Sequence, residues 1–481
     1  MCQLISGSAT QALSGNRVEV DFSSPDSLRE AHALVRGSEP EPVGGIINLL
    51  ALEQQYRERL AADESAALRL AQATFNLVKE FEDDIRRSAT EGGGWLVNFT
   101  SFNGKFGVGS ELPLPLAQAG TLGIMKSAAK ELPGVRVKNI DLDPQLDPQS
   151  VLEYIAAELA AESPEIEVGF NADGRWAIEL CEQPASPAST PLDMASHSVV
   201  LVTGGAYGIT AEVCKALARA YSPTLILVGR SPLPTEEPSP IRELRDAASL
   251  RKHLIATMRL GDKPPTPAEI EQELRRILKS RQIRDNLAEL KRLAAAVEYH
   301  AIDVRDSARF GELLDDVYAR FDRIDGVIHG AGVIEDKLIR DKTPESFANV
   351  FTTKVNSAVT LTRKLRSDSL KFLIFFSSVS GRFGNVGQSD YSAANEYLNK
   401  LAQHLDQSWP GRVVSINWGP WDAGMVSDQL RELYKARDID LIPMAEGVRF
   451  FISELQLHGQ NPPEVVITCS AKQIEEVSLK M

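Results

Sequence analysis

SVVLVTGGAYGIT, residues 198–210, decides the fold of this chain. A run of apolar, mostly β-branched residues leads directly into a glycine-containing turn, and the helical pattern AEVCKALARAY follows. Glycines let the chain turn sharply and let backbone N–H groups approach a pyrophosphate at the helix N-terminus. Thr203, Gly204 and Gly208 fit the spacing T-G-x-x-x-G-x-G, with Thr210 at the position of the last glycine. The stretch predicts the first strand, turn and helix of a dinucleotide-binding sheet.

Six more short β-rich runs follow this stretch, with helical stretches between them. They are TLILV (224–228), VEYHAIDV (297–304), GVIHG (326–330), KFLIFF (371–376), RVVSINW (412–418) and EVVIT (464–468). Near-continuous apolar runs are typical of parallel strands that are buried on both faces, and the helices between them imply right-handed crossovers. Residues 198–481 are therefore predicted to form an α/β subdomain with a seven-stranded, doubly wound parallel sheet of the Rossmann type.

The first half of the chain repeats the alternation of strands and helices more weakly. Its candidate strands are RVEVDF (17–22), GGIINLL (44–50), GWLVNF (94–99), RVKNIDL (136–142) and EIEVGF (165–170). None of them leads into a loop that would cradle a phosphate, so residues 1–182 are predicted to be a degenerate, structural Rossmann-like subdomain without a cofactor. Residues 183–197 are rich in Pro, Ser and Ala, which predicts a linker.

Composition limits the class of protein. The 481 residues are 43% apolar and 25% charged, without a run of 18 apolar residues, which is typical of globular domains in water. A net charge of -14 argues against nucleic acid as the main partner. The four cysteines lack C-x-x-C spacing, which predicts no metal site or disulfide framework and fits a reducing cytoplasm. The start, MCQLISGSATQAL, does not resemble a secretion signal and suggests a cut within a longer polypeptide.

The ends of the later strands indicate the cofactor. VGRS ends the second strand, and Arg230 stands where a site for NAD would favour Asp or Glu, so its guanidinium is expected to bind the 2′-phosphate of NADPH. Asp303 and Val304 end the third strand, where a side chain could meet the adenine. HGAG (329–332) ends the fourth strand and could line the cofactor's ribose with bare backbone, with His329 interpreted as structural.

A serine and a tyrosine are the candidate catalytic groups. Ser378 lies at the end of a predicted strand, thirteen residues before Tyr391, which opens a helix. Both hydroxyls can reach one carbonyl at the edge of the sheet, with Tyr391 as general acid and Ser378 holding the carbonyl oxygen. A tyrosine with a pKa near 10 needs a cation beside it at neutral pH. The usual short-chain dehydrogenase pattern places a lysine four residues after the tyrosine, but here that residue is Asn395.

At this point the sequence resembles the ketoreductase domains of polyketide synthases, and among them those of polyunsaturated-fatty-acid-type synthases. These carry the lysine on the preceding helix in a T-K-V motif, which FTTKVNSAVTL (351–361) matches. The resemblance implies a catalytic tetrad of Lys354, Ser378, Tyr391 and Asn395, with Asn395 anchoring the lysine or a proton-relay water. The cofactor contacts we expect are Gly204, Gly205, Tyr207, Gly208, Ile209, Arg230, Ser231, Asp303, Val304, Gly330, Ala331, Gly332, Lys354 and Tyr391.

The resemblance covers nearly the whole chain. HGAGVIEDKLI (329–339), FSSVSGRFGNVGQSDYSAANEYLNK (376–400) and NWGPWDAGMV (417–426) carry it in the second half, and GTLGIMKSAAKELP (120–133), NIDLDP (139–144) and EVGFNADGRWAIEL (167–180) in the first. It implies NADPH-dependent reduction of a 3-oxoacyl thioester held on an acyl carrier protein. The usual Leu-Asp-Asp reads Ile-Glu-Asp at 334–336, and Phe383 replaces a tryptophan, which favours a D-configured hydroxyl. The residues expected to control substrate orientation are Asp336, Phe383, Gln388 and Met425.

Two segments extend the second half. A helical insert over about 235–295 follows the second strand, and Ile270, Leu274, Ile277 and Leu278 are predicted to share one helix face. Within it, residues 241–294 hold 13 Lys/Arg against 8 Asp/Glu, so it either docks an acidic carrier protein, through Arg275, Arg276 and Lys279, or merely packs and is solvated. A helix-rich lid over about 420–445 is expected to cover the acyl chain.

Two other functions share parts of this pattern. A free-standing alcohol dehydrogenase would have the same tetrad, but it would not need the first half and would oligomerise through its own sheet and helices. A non-catalytic scaffold of a multidomain synthase is the second alternative. The pairing of two Rossmann-like halves in one chain suggests a monomer that mimics such a dimer, with neighbouring synthase domains as partners.

Overall fold

The computed structural model of the chain describes residues 2–13, 16–37, 41–57, 63–161, 163–182, 192–233, 237–258, 265–422, 428–436, 439–457 and 461–469. Its strands form three sheets. The helices of these ranges are α1 Pro25–Arg36, α2 Gln54–Arg57, α3 Glu64–Thr90, α4 Ala119–Glu131, α5 Pro148–Ala160, α6 Gly208–Tyr221, α7 Ser239–Glu243, α8 Ala247–Met258, α9 Pro267–Leu293, α10 Ser307–Phe321, α11 Pro344–Lys364, α12 Val379–Phe383, α13 Ser389–Asp406, α14 Asp428–Ala436 and α15 Met444–Leu455. Short 3₁₀ helices cover Leu50–Leu52, Leu116–Gln118 and Ile339–Asp341.

Two sheets lie in the first half. The smaller one holds β1 (Gln3–Ser6), β2 (Gln11–Leu13) and β3 (Arg17–Val20), in the order β1-β3-β2. The larger one has the order β4-β5-β6-β7-β8 and is parallel except for its last strand, with bounds Gly45–Asn48, Trp95–Thr100, Arg136–Leu142, Glu167–Asn171 and Gly174–Ala177. The candidate strand at 17–22 thus belongs to a different sheet from the other four, because β3 pairs with its close neighbours β1 and β2.

The second half is built on a seven-stranded sheet. Its order is β11-β10-β9-β12-β13-β14-β15, and every pairing is parallel. The strand order reverses between β9 and β12, which is the topological switch point where open α/β sheets bind their ligands. This confirms the predicted doubly wound sheet, with each strand where an apolar run predicted it. The bounds of β9 to β15 are Val199–Thr203, Thr224–Gly229, Ala296–Ala301, Gly326–His329, Phe372–Ser378, Arg412–Trp418 and Glu464–Ile467.

The two halves share a hydrophobic core in which α3 and α4 of the first half pack against α11 and α13 of the second. The contact between α4 and α13 is especially close at Gly123, where an added Cβ would lie 2.4 Å from the carbonyl oxygen of Ser392. Beside it, Ser127 Oγ donates to Ser392 Oγ at 2.9 Å. The first half therefore fixes the position of α13, the helix that begins beside the candidate catalytic tyrosine.

The predicted insert forms α7, α8 and α9. Leu250 and Leu254 of α8 pack with one face of α9 in a small separate core. Three of the four predicted face residues are buried there, but Leu278 is 36% exposed, because one helical step past Ile277 rotates it away from α8. The later turns of α9 pack instead on the core of the seven-stranded sheet.

The domain limits at 182 and 197 remain predictions. Much of the predicted linker lies outside the described residues, although Leu192 near its end is buried in the core of the seven-stranded sheet. Part of the predicted lid, including Met425, also lies outside them. None of the helices in the described ranges combines the length and apolar character that crossing a membrane requires.

Candidate active site

The candidate site lies at the C-terminal edge of the seven-stranded sheet. Ser378 ends β13, Tyr391 is in the first turn of α13, and Lys354 lies in the middle of α11. Because α11 connects β12 to β13 and α13 connects β13 to β14, right-handed crossovers place both helices on the same face of the sheet. Three residues that are distant in sequence thus meet at one place.

Lys354 is buried beside Tyr391. Its Nζ donates to the carbonyl oxygen of Phe376 at 2.6 Å and lies 5.6 Å from the centroid of the Tyr391 ring. Burial lowers the pKa of Lys354 to about 7. An added Cβ at Gly332 would lie 3.1 Å from Lys354 Cε, so bare backbone at this position leaves the lysine room to extend.

Tyr391 is also buried, with 8% of its surface exposed. Burial raises its pKa to about 12, while the Asn395 side chain acts in the opposite direction and the Asp336 carboxylate adds to the rise. A phenol with this pKa keeps its proton at neutral pH, and a cation beside it is needed for easy proton transfer. The fold places the Lys354 amine there, 5.6 Å from the centroid of the Tyr391 ring.

Asn395 is bonded to the backbone of α13. Its Nδ2 donates to the carbonyl oxygen of Tyr391 at 2.7 Å, and within the described ranges its buried Oδ1 accepts no hydrogen bond. The same ranges show no hydrogen bond from Asn395 to Lys354, and the role of Asn395 in anchoring the lysine or a relay water stays a prediction. The side chain four residues after Tyr391 lies near the carbonyl of Tyr391 because a helix completes one turn every 3.6 residues.

Ser378 caps the short helix α12. Its Oγ accepts a hydrogen bond from the backbone N–H of Ser380 at 3.1 Å. A hydroxyl that accepts from the backbone still has its own proton to donate. Ser378 can therefore donate to a carbonyl oxygen between itself and Tyr391.

Gln388 and Asp336, two of the residues predicted to orient the substrate, are hydrogen-bonded to each other. Its Nε2 donates to both carboxylate oxygens of Asp336 at 3.1 Å, and its Oε1 accepts from Ser380 Oγ at 2.7 Å. Phe383 is buried at the end of α12. Glu335 points elsewhere and accepts from Ser346 Oγ on α11 at 2.6 Å. Asp336 and Gln388 thus form one polar unit at the site.

Two charged groups that the sequence analysis did not single out hold the loops around the site. Glu131, at the end of α4 in the first half, accepts from the backbone N–H of Ile339 at 2.7 Å and of Gly387 at 2.9 Å. Lys342 forms a buried ion pair of 2.6 Å with Asp390, and burial raises the pKa of Asp390 to about 6. The sequence feature that could have indicated Glu131 is an acidic residue at the last position of a helix whose other residues are mostly buried.

The glycine-containing turn packs closely against the loop that follows β12. Gly204 has a φ of 79°, and an added Cβ there would lie 3.0 Å from the carbonyl oxygen of Gly330. Thr210 is buried, and its Oγ1 would lie 2.7 Å from a Cβ at Gly330. Thr203 Oγ1 accepts from the backbone N–H of Ala331 at 3.1 Å, which ties the two loops together. The glycines of both loops thus let the two backbones approach each other closely at the N-terminus of α6, where backbone N–H groups favour an anion.

The residues predicted to bind the adenosine end of the cofactor follow the C-terminal ends of β10 and β11. Arg230 is exposed, Val304 is buried, and the carbonyl oxygen of Ser231 accepts from Tyr299 Oη at 2.6 Å. Asp303 accepts from Arg305 Nε at 3.0 Å, and this bond lowers the pKa of Asp303. The remaining predicted cofactor residues, Gly205, Tyr207, Gly208 and Ile209, follow β9 at the start of α6.

Elsewhere in the described residues, no three or more His, Cys, Asp or Glu side chains come together as a metal site would need. His329 is fully buried, shares a hydrogen bond of 2.6 Å with Ser357, and burial lowers its pKa to about 3. A neutral imidazole in such a contact is a packed structural group.

Most of the chain is similar to parts of much longer synthases. Residues 198–423 match the family model described as KR domain. One polyunsaturated fatty acid synthase polypeptide of Thraustochytrium sp. is 31% identical over 366 residues, 74% of this chain and 13% of that protein. Chalcone synthase cfoA of Aspergillus candidus is 29% identical over 75% of this chain and 11% of its own length. The chain thus spans about an eighth or less of the length of these relatives.

Solved structures share the fold. The N-terminal ketoreductase from the macrolactin assembly line aligns with a TM-score of 0.71 at 18% identity, over 99% of this chain and 83% of that one. An A1-type ketoreductase aligns with a TM-score of 0.70 at 22% identity, over 97% and 88%. The alignments cover both halves, including the half that lies before the family match.

Proposed function

We propose that this chain is the ketoreductase part of a multidomain polyketide or polyunsaturated-fatty-acid-type synthase, because residues 198–423 match the family model described as KR domain. Its reaction is the NADPH-dependent reduction of a 3-oxoacyl thioester, carried on an acyl carrier protein, to the 3-hydroxyacyl thioester. The pairing of Lys354 with Tyr391 carries this proposal, because the fold sets the buried lysine of α11 beside the tyrosine ring of α13.

The protein's part in the chemistry follows from these groups. NADPH, when bound, supplies the hydride that goes to the β-carbon of the ketone. Tyr391 Oη gives its proton to the ketone oxygen, and the Ser378 hydroxyl donates a hydrogen bond to that oxygen as negative charge develops there. Lys354 in its charged form stabilises the resulting tyrosinate and holds the nicotinamide ribose. Asn395 keeps the first turn of α13 in place, and its Oδ1 faces a buried position where a relay water would accept and pass a proton.

The direction of substrate entry is part of the proposal. The unit of Asp336 and Gln388 lies beside the N-terminus of α13, so its polar groups can bind the thioester arm on one side of Tyr391. Phe383, in place of a tryptophan, is buried at the end of α12. This arrangement supports a D-configured hydroxyl product.

The proposed partners are the acyl carrier protein with its phosphopantetheine arm and the neighbouring domains of the synthase. We propose a monomer in the cytoplasm, with residues 1–182 as the structural subdomain. The free-standing dehydrogenase and the scaffold remain alternatives. The first does not explain why α4 of the first half packs along the catalytic helix, and the second does not explain the buried lysine beside Tyr391.

The decisive experiment follows the absorbance of the reduced nicotinamide with a short 3-oxoacyl thioester, comparing NADPH with NADH. We expect turnover that prefers NADPH and that is lost in Tyr391→Phe. Absence of turnover with the free thioester and also with the same acyl chain on a carrier protein, in a folded protein, would overturn the reductase and favour the scaffold.

A further inference from the structure

The long insert helix α9 is anchored on the cofactor loop. Asn286 Nδ2 donates to the carbonyl oxygen of Ala206, within the turn between β9 and α6, at 3.0 Å. Ile283 and Leu287 of the same helix are buried in the core that contains α6. The insert is therefore fixed against the glycine turn, and the side chains on this face of α9 are held at a set distance from it.

Lys279 lies on this face, because it precedes Asn286 by seven residues and Ile283 by four. Its Nζ is 5.4 Å from the ring centroid of Tyr207, the residue that caps α6. Tyr207 is 40% exposed, so the pair lies at the open edge of the turn rather than in the core. The ammonium group is thus held beside the helix N-terminus, where an anion is also favoured by the backbone N–H groups.

Four basic side chains of the insert form ion pairs with carboxylates, whereas Lys279 forms none within the described ranges. Arg276 pairs with Glu273 at 2.6 Å and Arg281 pairs with Glu237 at 2.7 Å. In the described ranges, no carboxylate forms an ion pair with Lys279 or with Arg230. Half-burial and the nearby charge of Arg230 lower the pKa of Lys279. The backbone N–H of Gly204 donates to the carbonyl oxygen of Val228 at 2.7 Å, so the glycine turn lies against the end of β10, two residues before Arg230. Two cations at this edge would both be stabilised by a bound dianion.

We propose that Lys279 is a specificity-determining residue of the cofactor site and binds the 2′-phosphate of NADPH together with Arg230. The insert then contributes a residue to the nucleotide site instead of only packing on the surface of the subdomain. This inference rests on the proposed function, because it presumes that the site takes NADPH. It also removes Lys279 from the hypothetical carrier-docking surface, which keeps Arg275 and Arg276.

The test compares Lys279→Gln with Lys291→Gln, an exposed lysine in the last turn of the same helix. The probes are adenosine 2′,5′-bisphosphate and AMP, which differ in the 2′-phosphate, and binding is measured by calorimetry. We expect Lys279→Gln to weaken the bisphosphate by about 10- to 150-fold, as for one charge-assisted hydrogen bond. AMP should bind unchanged, and Lys291→Gln should match the unaltered protein with both probes.

The outcomes separate this inference from the proposed function. If the unaltered protein prefers the bisphosphate and Lys279→Gln keeps the same preference, the role of Lys279 is overturned while NADPH specificity stands. A loss of equal size for both probes would also overturn it, because the loop and not the phosphate contact would be damaged. If the unaltered protein binds both probes equally, NADPH specificity fails and this inference fails with it.

Discussion

Lys354 Nζ lies 5.6 Å from the centroid of the Tyr391 ring, although the two residues are on different helices, α11 and α13. In the usual short-chain dehydrogenase pattern, one turn of one helix sets the distance between lysine and tyrosine. Here that distance depends on how two helices pack, and Asn395 takes the position one turn after the tyrosine. The site is therefore sensitive to changes in packing around α13 as well as to changes in the tetrad.

Tyr391→Phe removes the proposed proton donor without changing the packing of the ring. We expect reduction of a 3-oxoacyl thioester to fall by about 100-fold or more, the range of a lost general acid. Affinity for NADPH, measured by quenching of tryptophan fluorescence, should stay close to that of the unaltered protein. Retained turnover would show that another group gives the proton.

Lys354→Met removes a buried cation whose pKa burial lowers to about 7. Activity should be lost, but the protein without cofactor should become more stable at neutral pH, by a few kcal/mol in order of magnitude. The physical reason is that unfolding lets the lysine regain its usual pKa and its hydration. Denaturant unfolding at pH 7 measures the difference.

The pH dependence checks the cause of that gain. Between pH 7 and about 10.5 the unfolded state of the unaltered protein binds a proton at Lys354 that the folded state does not, so its stability rises with pH. The advantage of Lys354→Met should therefore shrink as the pH rises through this window. A constant advantage would mean that packing, not charge, stabilises the variant.

The seven-stranded sheet could be predicted from the sequence because strands buried on both faces have uninterrupted apolar runs. It also placed Ser378 and Tyr391 at one edge, which follows from parallel topology. It could not predict contacts that depend on how the two halves pack, such as the hydrogen bonds of Glu131, or the position of Lys279 beside Tyr207. The apolar pattern of the insert predicted only which face of α9 is buried. The orientation of the Asn395 amide could not be predicted either, because it depends on local hydrogen bonding.

Gly330→Ala tests the close contact between Gly330 and Thr210, the residue that stands in place of the last glycine of the usual pattern. The new Cβ would lie 2.7 Å from Thr210 Oγ1, so we expect a loss of about 1–3 kcal/mol in the free energy of unfolding from overpacking. Affinity for NADPH should fall as the two loops separate. Denaturant unfolding and nucleotide titration measure the two effects.

The matched control adds Thr210→Gly to Gly330→Ala. Removing the threonine side chain should restore part of the lost stability, beyond the sum of the single changes, because the two positions are in contact. Additive effects would show that the strain at Gly330 comes from the backbone oxygen of Thr203, 3.1 Å from the same Cβ, and not from Thr210.

Glu131→Gln tests whether the first half positions the active-site loops. The carboxylate accepts two backbone hydrogen bonds, and the amide can accept only one, which leaves the other N–H facing a donor. We expect stability to fall by about 1–3 kcal/mol and kcat/KM to fall while affinity for NADPH is kept. Glu91→Gln, in the exposed C-cap of α3, is the control. Unchanged kcat/KM in Glu131→Gln would leave Glu131 a purely structural residue.

A buried charge cluster joins the two halves behind the catalytic helix. Glu396 of α13 pairs with Lys126 of α4 at 3.1 Å and with Lys400 at 3.3 Å, and all three are buried. Lys126 also lies 3.4 Å from Glu167, which pairs with Arg382. The neighbouring cations lower the pKa of Glu396 to about 2 against the cost of burial, so the carboxylate stays charged at every ordinary pH.

Glu396→Gln leaves Lys126 and Lys400 buried without that counter-charge, and we expect a loss of about 3–5 kcal/mol in the free energy of unfolding at pH 7. Because the folded pKa is depressed, the stabilisation by Glu396 is complete above the unfolded pKa and is lost as the pH falls toward 2. The difference in the free energy of unfolding between the unaltered protein and Glu396→Gln should therefore narrow from pH 6 to pH 3, as denaturant unfolding measures it. Adding Lys126→Met should recover part of the loss by removing one uncompensated cation. A gap that is independent of pH would show that Glu396 acts through shape alone, and then the two halves would be joined by packing between α4 and α13 rather than by charge.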